Sequence, residues 1–541
     1  MGQKRMGIST HQYPSFAFPY KILPNLFVLS TPAQSMKQLV AFGFWSWLFC
    51  VAITKSFGQN PPYKAVNLGG WLVVEGWMKP SLFDAIPNKD LLDGTQVQLK
   101  STSLNMYLSA ENGGGSDLVA NRPTASGWET FRLWRINEST FNFRVYNKDF
   151  IGVGSSDQGK RAFARTTEAG EDETFVIVRN NENPLRVRIR CSNGLYLQAV
   201  SGDSVRGDYG GSADDWSDQN PSVFQMSIVG TLQGEYQLTN GYGPDKAPSA
   251  VKNHWDTYII ADDFRFMSEN GLTAVRIPVG WWIMHNPDPP KPFVGGSLQA
   301  LDNAFTWAEE YKMKVIVDLH APPASQNGFE HSGSRDGFQE WGASHITQTV
   351  AVIEFLAQRY ANRPSLGGIQ LMNEPFAPAV TFDDLSNYYR AGYDAVRKYS
   401  SSAYVILSSR LGAGDDREFL PLAHALSHSV VIDVHYYNMF SDYFSTFSPK
   451  DNIDFIYDKR AKALQQVTPA DGPLSLVVIL FVGDHSTCEK ENGRVSGQLK
   501  TQRRKTIKGL GRLRWRFTGR PRLDGLTGLT NARRITGVSS G

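Results

Sequence analysis

The sequence predicts an α/β protein: a (β/α)8 barrel of the TIM type without its last strand, carrying an inserted all-β module. Between residues 255 and 482, amphipathic helices alternate with nearly continuous apolar strands, which indicates a parallel sheet covered on both faces. Between residues 93 and 228, short alternating segments are broken by Gly, Asn, Asp and Ser, as is typical of a compact all-β barrel or trefoil. With a first strand at Val66, the barrel reaches seven strands, one short of closure.

The individual elements follow from the same patterns. The predicted barrel helices cover residues 255–270, 300–311, 346–360, 385–399, 421–428 and 454–466. The strands that follow them cover residues 274–279, 314–319, 366–372, 404–407, 430–434 and 474–482. Clear strands of the module cover residues 97–100, 106–109, 141–145 and 185–189. The predicted domains are an N-terminal extension with a signal-like segment (1–58), the barrel start (59–92), the inserted module (93–230), the remaining barrel (231–483) and a disordered basic tail (484–541).

The N-terminal segment resembles a secretory signal. Residues 39–53 form an apolar run with Lys37 before it and small residues after it, so cleavage is expected near residues 56–58. The run begins far from Met1, and Met36 is the more natural start. A membrane anchor is the alternative interpretation, although a run of about fifteen residues is short for a span. We therefore expect export to the extracellular space or the cell wall.

Charge divides the chain into two unlike parts. The 541 residues carry a net charge of +3, but residues 490–541 hold fourteen basic and two acidic side chains, which leaves −9 for the first 489 residues. An acidic body rich in aromatic residues suits a protein that stacks on sugar rings. Three cysteines, Cys50, Cys191 and Cys488, exclude a disulfide scaffold and show no metal-ligand spacing. We expect no metal, no cofactor, no nucleic-acid partner, no stable membrane span and a monomer.

Polar side chains collect where predicted barrel strands run into their loops, which is where such barrels place catalytic groups. Asn373 and Glu374 end an apolar run. An Asn in this place can bind a sugar 2-hydroxyl, and the Glu can protonate the departing glycosidic oxygen. Each residue alone also has a structural explanation, but their common position at one end of one sheet predicts a site. The other strand ends carry Glu75, Arg276, His320, His435 and Tyr437.

Five motifs, in this order along the chain, resemble glycoside hydrolase family 5, and more narrowly its glucan 1,3-β-glucosidase branch. They are Leu68-Gly-Gly-Trp-Leu72 with Glu75, Val275-Arg-Ile-Pro-Val-Gly280, Asp318-Leu-His320, Leu371-Met-Asn-Glu-Pro375 and Val434-His-Tyr-Tyr-Asn438. The insert resembles a fascin-like module through Tyr107-Leu-Ser-Ala-Glu111 and Trp128-Glu-Thr-Phe-Arg-Leu-Trp134. A plant-type arrangement places such a module after the first barrel strand. The resemblance covers about residues 61–482.

The resemblance implies a hydrolase that acts on β-glucans or β-glucosides with retention, using two carboxylates about 5 Å apart. Glu374 would act as acid and then as base, Asn373 would hold the 2-hydroxyl, and Arg276 would orient and ionise the nucleophile. His435 and Tyr437 would tune the acid and position the sugar. His320 and Glu75 would bind glucose hydroxyls.

The chain departs from the family pattern near its C-terminus. Where the family has a Glu nucleophile, this chain has Asp484, whose carboxylate reaches roughly 1.5 Å less far. Asp484 is then a poor substitute nucleophile, or the position is lost. Residues 494–541 offer no helix–strand pair to close the barrel, which predicts open sheet edges. A shifted reading frame or a retained intron would explain this tail, and a nucleic-acid-binding arm is the alternative.

These departures predict that the chain as written is inactive or nearly so, because retention needs two carboxylates in a closed, water-excluding barrel. Two other functions stay open. A non-catalytic carbohydrate-binding protein would keep the module and the polar strand ends without turnover. An actin-bundling protein is suggested by the fascin-like module, but export and a single module both argue against it.

Overall fold

The computed structural model describes residues 63–154, 160–426, 429–437, 442–444 and 446–467, and the backbone of two further strands, Leu474–Leu480 and Leu523–Thr527. The predicted signal-like segment, Asp484 and the predicted tail apart from Leu523–Thr527 lie outside the described residues. Within these ranges, no helix is both long enough and apolar enough to cross a membrane.

The chain enters the fold through β1 (Lys64–Asn67) and then forms an all-β segment. In its described part this segment has twelve strands, which are β2 (Gln96–Ser101), β3 (Tyr107–Ala110), β4 (Ser116–Arg122), β5 (Phe131–Arg135), β6 (Thr140–Arg144), β7 (Phe150–Val153), β8 (Ala162–Thr166), β9 (Phe175–Arg179), β10 (Arg186–Cys191), β11 (Tyr196–Ser201), β12 (Ser204–Tyr209) and β13 (Phe224–Gly230). We call residues 96–230 the module.

The module is antiparallel throughout its described pairings. Its strands follow the order β12-β11-β10-β13-β2-β3-β4-β8-β7-β6-β5, while β9 pairs with β10 and β6, and β2 also pairs with β5. Alternate residues of these short strands face one core of their own, in which Phe131, Phe141 and Phe224 are fully buried. The strands that the sequence predicts here are present. The trefoil and fascin-like assignments of the module stay predictions.

Helices and parallel strands alternate after the module. The helices are α1 (Glu235–Tyr258), α2 (Ala261–Glu269), α3 (Ser297–Glu310), α4 (Ile346–Tyr360), α5 (Phe382–Arg397), α6 (Leu420–Ala425), α7 (Pro449–Phe455) and α8 (Ala461–Val467), with a π-helical turn at Ile456–Arg460. The strands are β14 (Ala274–Gly280), β15 (Lys314–Ala321), β16 (Leu366–Gln370), β17 (Tyr404–Ser408), β18 (Val430–Tyr437), β19 (Leu474–Leu480) and β20 (Leu523–Thr527).

The predicted helix over residues 255–270 is two helices in the structure. Helix α1 begins twenty residues earlier, at Glu235, and α2 begins after a break at Ile259 and Ile260. The sequence pattern hid the first part of α1 because Gly243 (φ 73°), Pro244 and Pro248 interrupt it, and both residue types are unfavourable inside a helix. The other predicted helices and strands lie within a few residues of the observed ones.

The prediction of a barrel without its last strand is wrong. The described strands close in the order β1-β14-β15-β16-β17-β18-β19-β20, and β20 pairs in parallel with both β19 and β1. The backbone register places Val66 beside Leu526 and Val477 beside Asp524. The sequence Leu-Asp-Gly-Leu-Thr gave no strand signal because it is short, contains Gly and stands among basic residues.

Successive layers of side chains fill the barrel interior, since alternate residues of each strand point inward. An apolar layer consists of Ile316, Ile406 and Val431, with Tyr63 and Tyr404 packed against it. Two residues further along their strands, β15 and β18 point the buried Asp318 and Asp433 inward. After two more residues come His320 and His435. The interior therefore changes from apolar to ionisable towards the carboxyl ends of the strands.

Candidate active site

The floor of the site is a buried polar layer around Arg276. Its guanidinium donates to Gln370 Oε1, Asn67 Oδ1 and Asn373 Oδ1, each at 2.8 Å, and its Nη2 lies 3.0 Å from Asp318 Oδ2. Because Arg276 is about 3% exposed, its charge depends on these partners rather than on water. Below the predicted acid, Glu374, this one cation thus connects strands β1, β14, β15 and β16.

Glu374 lies above this layer, in the loop that follows β16, with its backbone in the left-handed region (φ 43°). That conformation is uncommon for a residue with a side chain and persists where surrounding contacts impose it. The carbonyl of Glu374 accepts from Asn327 Nδ2 at 3.1 Å, and the carbonyl of Asn373 accepts from Gln326 Nε2 at 2.6 Å. These two bonds hold the backbone at and before Glu374, whose carboxylate faces His435 of β18.

Three proton-bearing side chains hold the Glu374 carboxylate. Its Oε1 accepts from the Tyr437 hydroxyl and lies 2.6 Å from His435 Nδ1. Its Oε2 lies 3.3 Å from His331 Nε2. The other ring nitrogen of His435, Nε2, lies 2.8 Å from Asp433 Oδ2. The result is a hydrogen-bonded chain from Asp433 through His435 to Glu374, with His331 on the opposite oxygen.

These contacts determine which groups are charged. Burial alone would raise the pKa of Glu374, but His435 and His331 outweigh it and hold this pKa well below its ordinary value. Burial would lower the pKa of His435, but Asp433 and Glu374 raise it to about 10. Burial also opposes the protonation of His331, yet Glu374, Glu75 and Glu330 raise its pKa. At neutral pH the proton of the pair therefore lies on His435 and Glu374 is ionised.

His320 has the opposite character. Burial lowers its pKa, and Asp318, 2.5 Å from its Nδ1, only partly compensates. Its Nε2 lies 3.5 Å from Asn373 Nδ2. A neutral His320 held through Nδ1 presents Nε2 to the site as an acceptor.

Glu75 lies at the edge of the site. Its oxygens accept from the Gly70 N–H at 3.2 Å and from Trp77 Nε1 at 3.1 Å, and its charge contributes to the raised pKa of His331. Trp282 is buried and stacks on Phe293 at 4.0 Å between ring centroids, so its ring is not available to a sugar. Of the sequence-predicted residues, the structure thus gathers Arg276, His320, Asn373, Glu374, His435 and Tyr437, with Glu75 beside them.

Sequence reasoning missed His331, Gln326 and Asn327. All three lie in the loop between β15 and α4, and His331 belongs to a short 3-10 helix, Glu330–Ser332. The available signal was position, because the loops after barrel strands carry the sites of such enzymes. Among the described residues, no cluster of three or more His, Cys, Asp or Glu side chains is arranged to hold a metal ion.

A closed parallel barrel with ionisable side chains at the carboxyl ends of its strands has the architecture of the barrel enzymes. Comparison gives the particular family: residues 240–471 match the model described as Cellulase (glycosyl hydrolase family 5). Through this domain the chain belongs to glycosyl hydrolase family 5. Residues 88–229 match a separate model, described as a domain of unknown function, DUF7910.

Several curated proteins are similar to the chain. "Probable glucan 1,3-beta-glucosidase A" of Emericella nidulans is 35% identical over 280 residues, 51% of this chain and 66% of that protein. "Glucan 1,3-beta-glucosidase" of Schwanniomyces occidentalis is 37% identical over 215 residues, 38% of this chain and 49% of that protein. The chain thus spans about half to two thirds of the length of the curated relatives it matches. The crystal structure of rutinosidase from Aspergillus niger aligns over 46% of this chain and 72% of its own at 18% identity, with a TM-score of 0.39.

Proposed function

We propose that the chain is an O-glycosyl hydrolase that cleaves β-glucans with retention, of the glucan 1,3-β-glucosidase type. Membership of family 5 and the names of the curated relatives support this class of activity. One observation carries the proposal: the Glu374 carboxylate, directly after Asn373, contacts His435, Tyr437 and His331. Such a carboxylate can exchange a proton with a glycosidic oxygen.

Glu374 is the acid/base in this proposal, and His435 stores its proton. The resting carboxylate is ionised, and the proton lies on His435 Nδ1, 2.6 Å away. As the glycosidic bond breaks, Glu374 takes this proton and gives it to the departing oxygen, which then leaves as a neutral hydroxyl. In the second step Glu374 removes a proton from the attacking water and the pair returns to its starting charges.

The other side chains position the sugar. Arg276 donates to Asn373 Oδ1 at 2.8 Å, which fixes the amide so that its Nδ2 is the donor for the 2-hydroxyl. His320 offers an acceptor from the floor and Glu75 another from the edge of the site. Tyr437 donates to Glu374 and so limits the rotation of the acid. The predicted role of Arg276 in orienting the nucleophile is also part of this proposal.

Asp484 stays the candidate nucleophile, and it lies outside the described residues. The expectation of inactivity had two reasons, an open barrel and a short carboxylate. The first reason is removed by the pairing of β20 with β19 and β1. We therefore propose measurable hydrolysis, slowed by the short reach of Asp484, because a misplacement of about an ångström costs roughly a hundredfold in rate.

The proposal is tested by incubating the purified chain with a linear β-1,3-glucan and following the released sugar by proton NMR. We expect the β anomer to appear first, because two displacements retain configuration. Asp484→Asn should abolish release, and Glu310→Gln, which changes an exposed carboxylate on α3, should not alter it. Initial release of the α anomer would contradict retention. Binding of the glucan without any hydrolysis would favour the alternative, a carbohydrate-binding protein. An ionised Glu374 is compatible with that alternative as well.

We further propose that the protein is exported and acts as a monomer, with the domain boundaries given by the sequence up to residue 483. The predicted disordered tail is not part of this proposal, because β20 lies within it and pairs with β19 and β1. The names of the fungal relatives fit an enzyme of glucan metabolism, and the separate family match at residues 88–229 fits an inserted module. Size-exclusion chromatography with light scattering tests the monomer, and N-terminal sequencing of secreted protein tests cleavage near residues 56–58.

A further inference from the structure

The loop between β15 and α4, residues 322–345, lies between the module and the candidate acid. Its two halves pack closely on each other. The Glu340 N–H donates to the Ala324 carbonyl at 2.9 Å, and a Cβ placed on Gly328 would lie 2.6 Å from the Gly337 carbonyl oxygen. A displacement of one half therefore displaces the other half.

The module side of this loop is held by a buried ion pair. Asp336 Oδ2 accepts from Arg144 Nη1 at 2.8 Å and from Trp134 Nε1 at 2.6 Å, and the Asp336 carbonyl accepts from Arg132 Nη1 at 2.7 Å. The side chains of Arg144 and Asp336 are 10% and 3% exposed. Because both side chains are nearly excluded from solvent, removing one of them leaves the other as a buried charge that water cannot compensate.

More cations of the module surround the following residues. Glu340 lies 3.1 Å from Arg144 Nη2 and 3.2 Å from Lys148 Nζ. The Arg132 guanidinium lies 4.0 Å from the centroid of the Phe338 ring, a favourable cation–π distance. Residues 336–340 thus contact cationic side chains of the module through Asp336, Phe338 and Glu340.

The other half of the loop holds the acid. Gln326 donates to the Asn373 carbonyl, Asn327 to the Glu374 carbonyl at 3.1 Å, and His331 Nε2 lies 3.3 Å from Glu374 Oε2. Gln339, beside the module contacts, donates to the Phe376 carbonyl at 2.7 Å. These contacts act on the backbone before, at and after Glu374, where its left-handed conformation has to be maintained.

We propose that the module is a positioning element for catalysis, and that Arg144, by its ion pair with Asp336, holds the β15–α4 loop where His331 and three amide side chains fix Glu374. The catalytic half of this inference rests on the proposed function. Its geometric half does not, because the position of His331 against Glu374 is measurable without turnover. Arg144 is a positioning residue and touches no substrate.

The test replaces Arg144 by Met in the full chain and follows the titration of His331 by NMR of histidine-labelled protein. The groups that face His331 are Glu374, Glu330, Glu75 and the His320 ring, 4.9 Å away between centroids. Loosening the loop moves His331 from Glu374, so its pKa should fall towards 6.5. In parallel, kcat for an aryl β-glucoside should fall about 10- to 100-fold with KM little changed. Arg144→Lys should give an intermediate result because it keeps the charge.

The matched control is Arg165→Met, which removes an exposed module arginine paired with Asp117 at 2.7 Å and should leave both readouts unchanged. A folded Arg144→Met protein with unaltered His331 titration and kcat would overturn the proposal. If Arg144→Met fails to fold, Glu340→Gln is the deciding variant. Replacing this half-exposed carboxylate should give a smaller effect in the same direction. The absence of any effect on the His331 titration and on kcat would overturn the proposal. If the wild-type chain hydrolyses nothing, the proposed function fails while the His331 titration still decides this inference.

Discussion

Asp433 should control where the catalytic proton resides. Its Oδ2 lies 2.8 Å from His435 Nε2, a contact that places the two charges roughly 4 Å apart and, with an effective dielectric constant near 20, is worth about 4 kcal/mol. Since about 1.4 kcal/mol corresponds to one pKa unit, Asp433→Asn should lower the pKa of His435 by about two to three units, from about 10 to about 7 or 8.

The sign of the pH effect follows from this shift. In the proposed mechanism His435 supplies the proton to Glu374, so activity is expected below the pKa of His435 and should be lost above it. In Asp433→Asn the alkaline limb of kcat/KM should therefore move down by about two to three pH units. The same raised pKa stabilises the folded wild-type protein below pH 6.5, and this contribution is lost as the pH rises towards 10.

NMR titration of His435 and the pH profile of aryl β-glucoside hydrolysis check the prediction together. Asp416→Asn is the matched control. Asp416 accepts a hydrogen bond at 3.3 Å from the hydroxyl of Tyr436, which follows His435 in β18. It makes no described contact with His435 itself. An Asp433→Asn protein in which His435 still titrates near pH 10 would show that Asp433 does not set the pKa of His435.

Two further predictions concern buried polar groups. Glu235 is fully buried, accepts from the Val74 N–H at 3.1 Å, and burial raises its pKa to about 8. Its folded-state pKa lies above its unfolded value, so stability should fall by up to about 1.4 kcal/mol per pH unit between about pH 4.5 and 8, and Glu235→Gln should flatten this slope in urea titrations. Gln326 donates to the carbonyls of His320 and Asn373. Gln326→Leu leaves both without this donor and should cost about 2–5 kcal/mol of unfolding free energy, whereas a loss below about 0.5 kcal/mol would show that other donors replace it.

Much of the site could be predicted from the sequence because barrels bring the carboxyl ends of their strands together. His320, Glu374 and His435 each stand near the end of an apolar run, and that position alone predicts a shared edge. Arg276 was also predicted at a strand end, but it lies within β14 and belongs to the polar floor. The polar layer beneath them was harder to predict from the sequence. One signal was available, because a carboxylate such as Asp433 is unusual within a buried strand.

What the sequence did not predict depends on contacts between distant segments. His331 meets Glu374 only through the path of a loop that carries no periodic pattern. Strand β20 has weak intrinsic preference and is defined by its pairing with β19 and β1. The ion pair of Arg144 with Asp336 joins residues 192 positions apart, and nothing local marks either member.

In the proposed mechanism Glu374 exchanges a proton with the glycosidic oxygen. The most direct measurement compares wild type and Glu374→Gln on aryl β-glucosides whose leaving groups span a wide range of pKa. We expect that the variant still binds sugar and turns over the most activated glucoside, but loses about 10²- to 10⁴-fold in rate on poor leaving groups, which need protonation. Equal rates for wild type and Glu374→Gln across the whole series would contradict it.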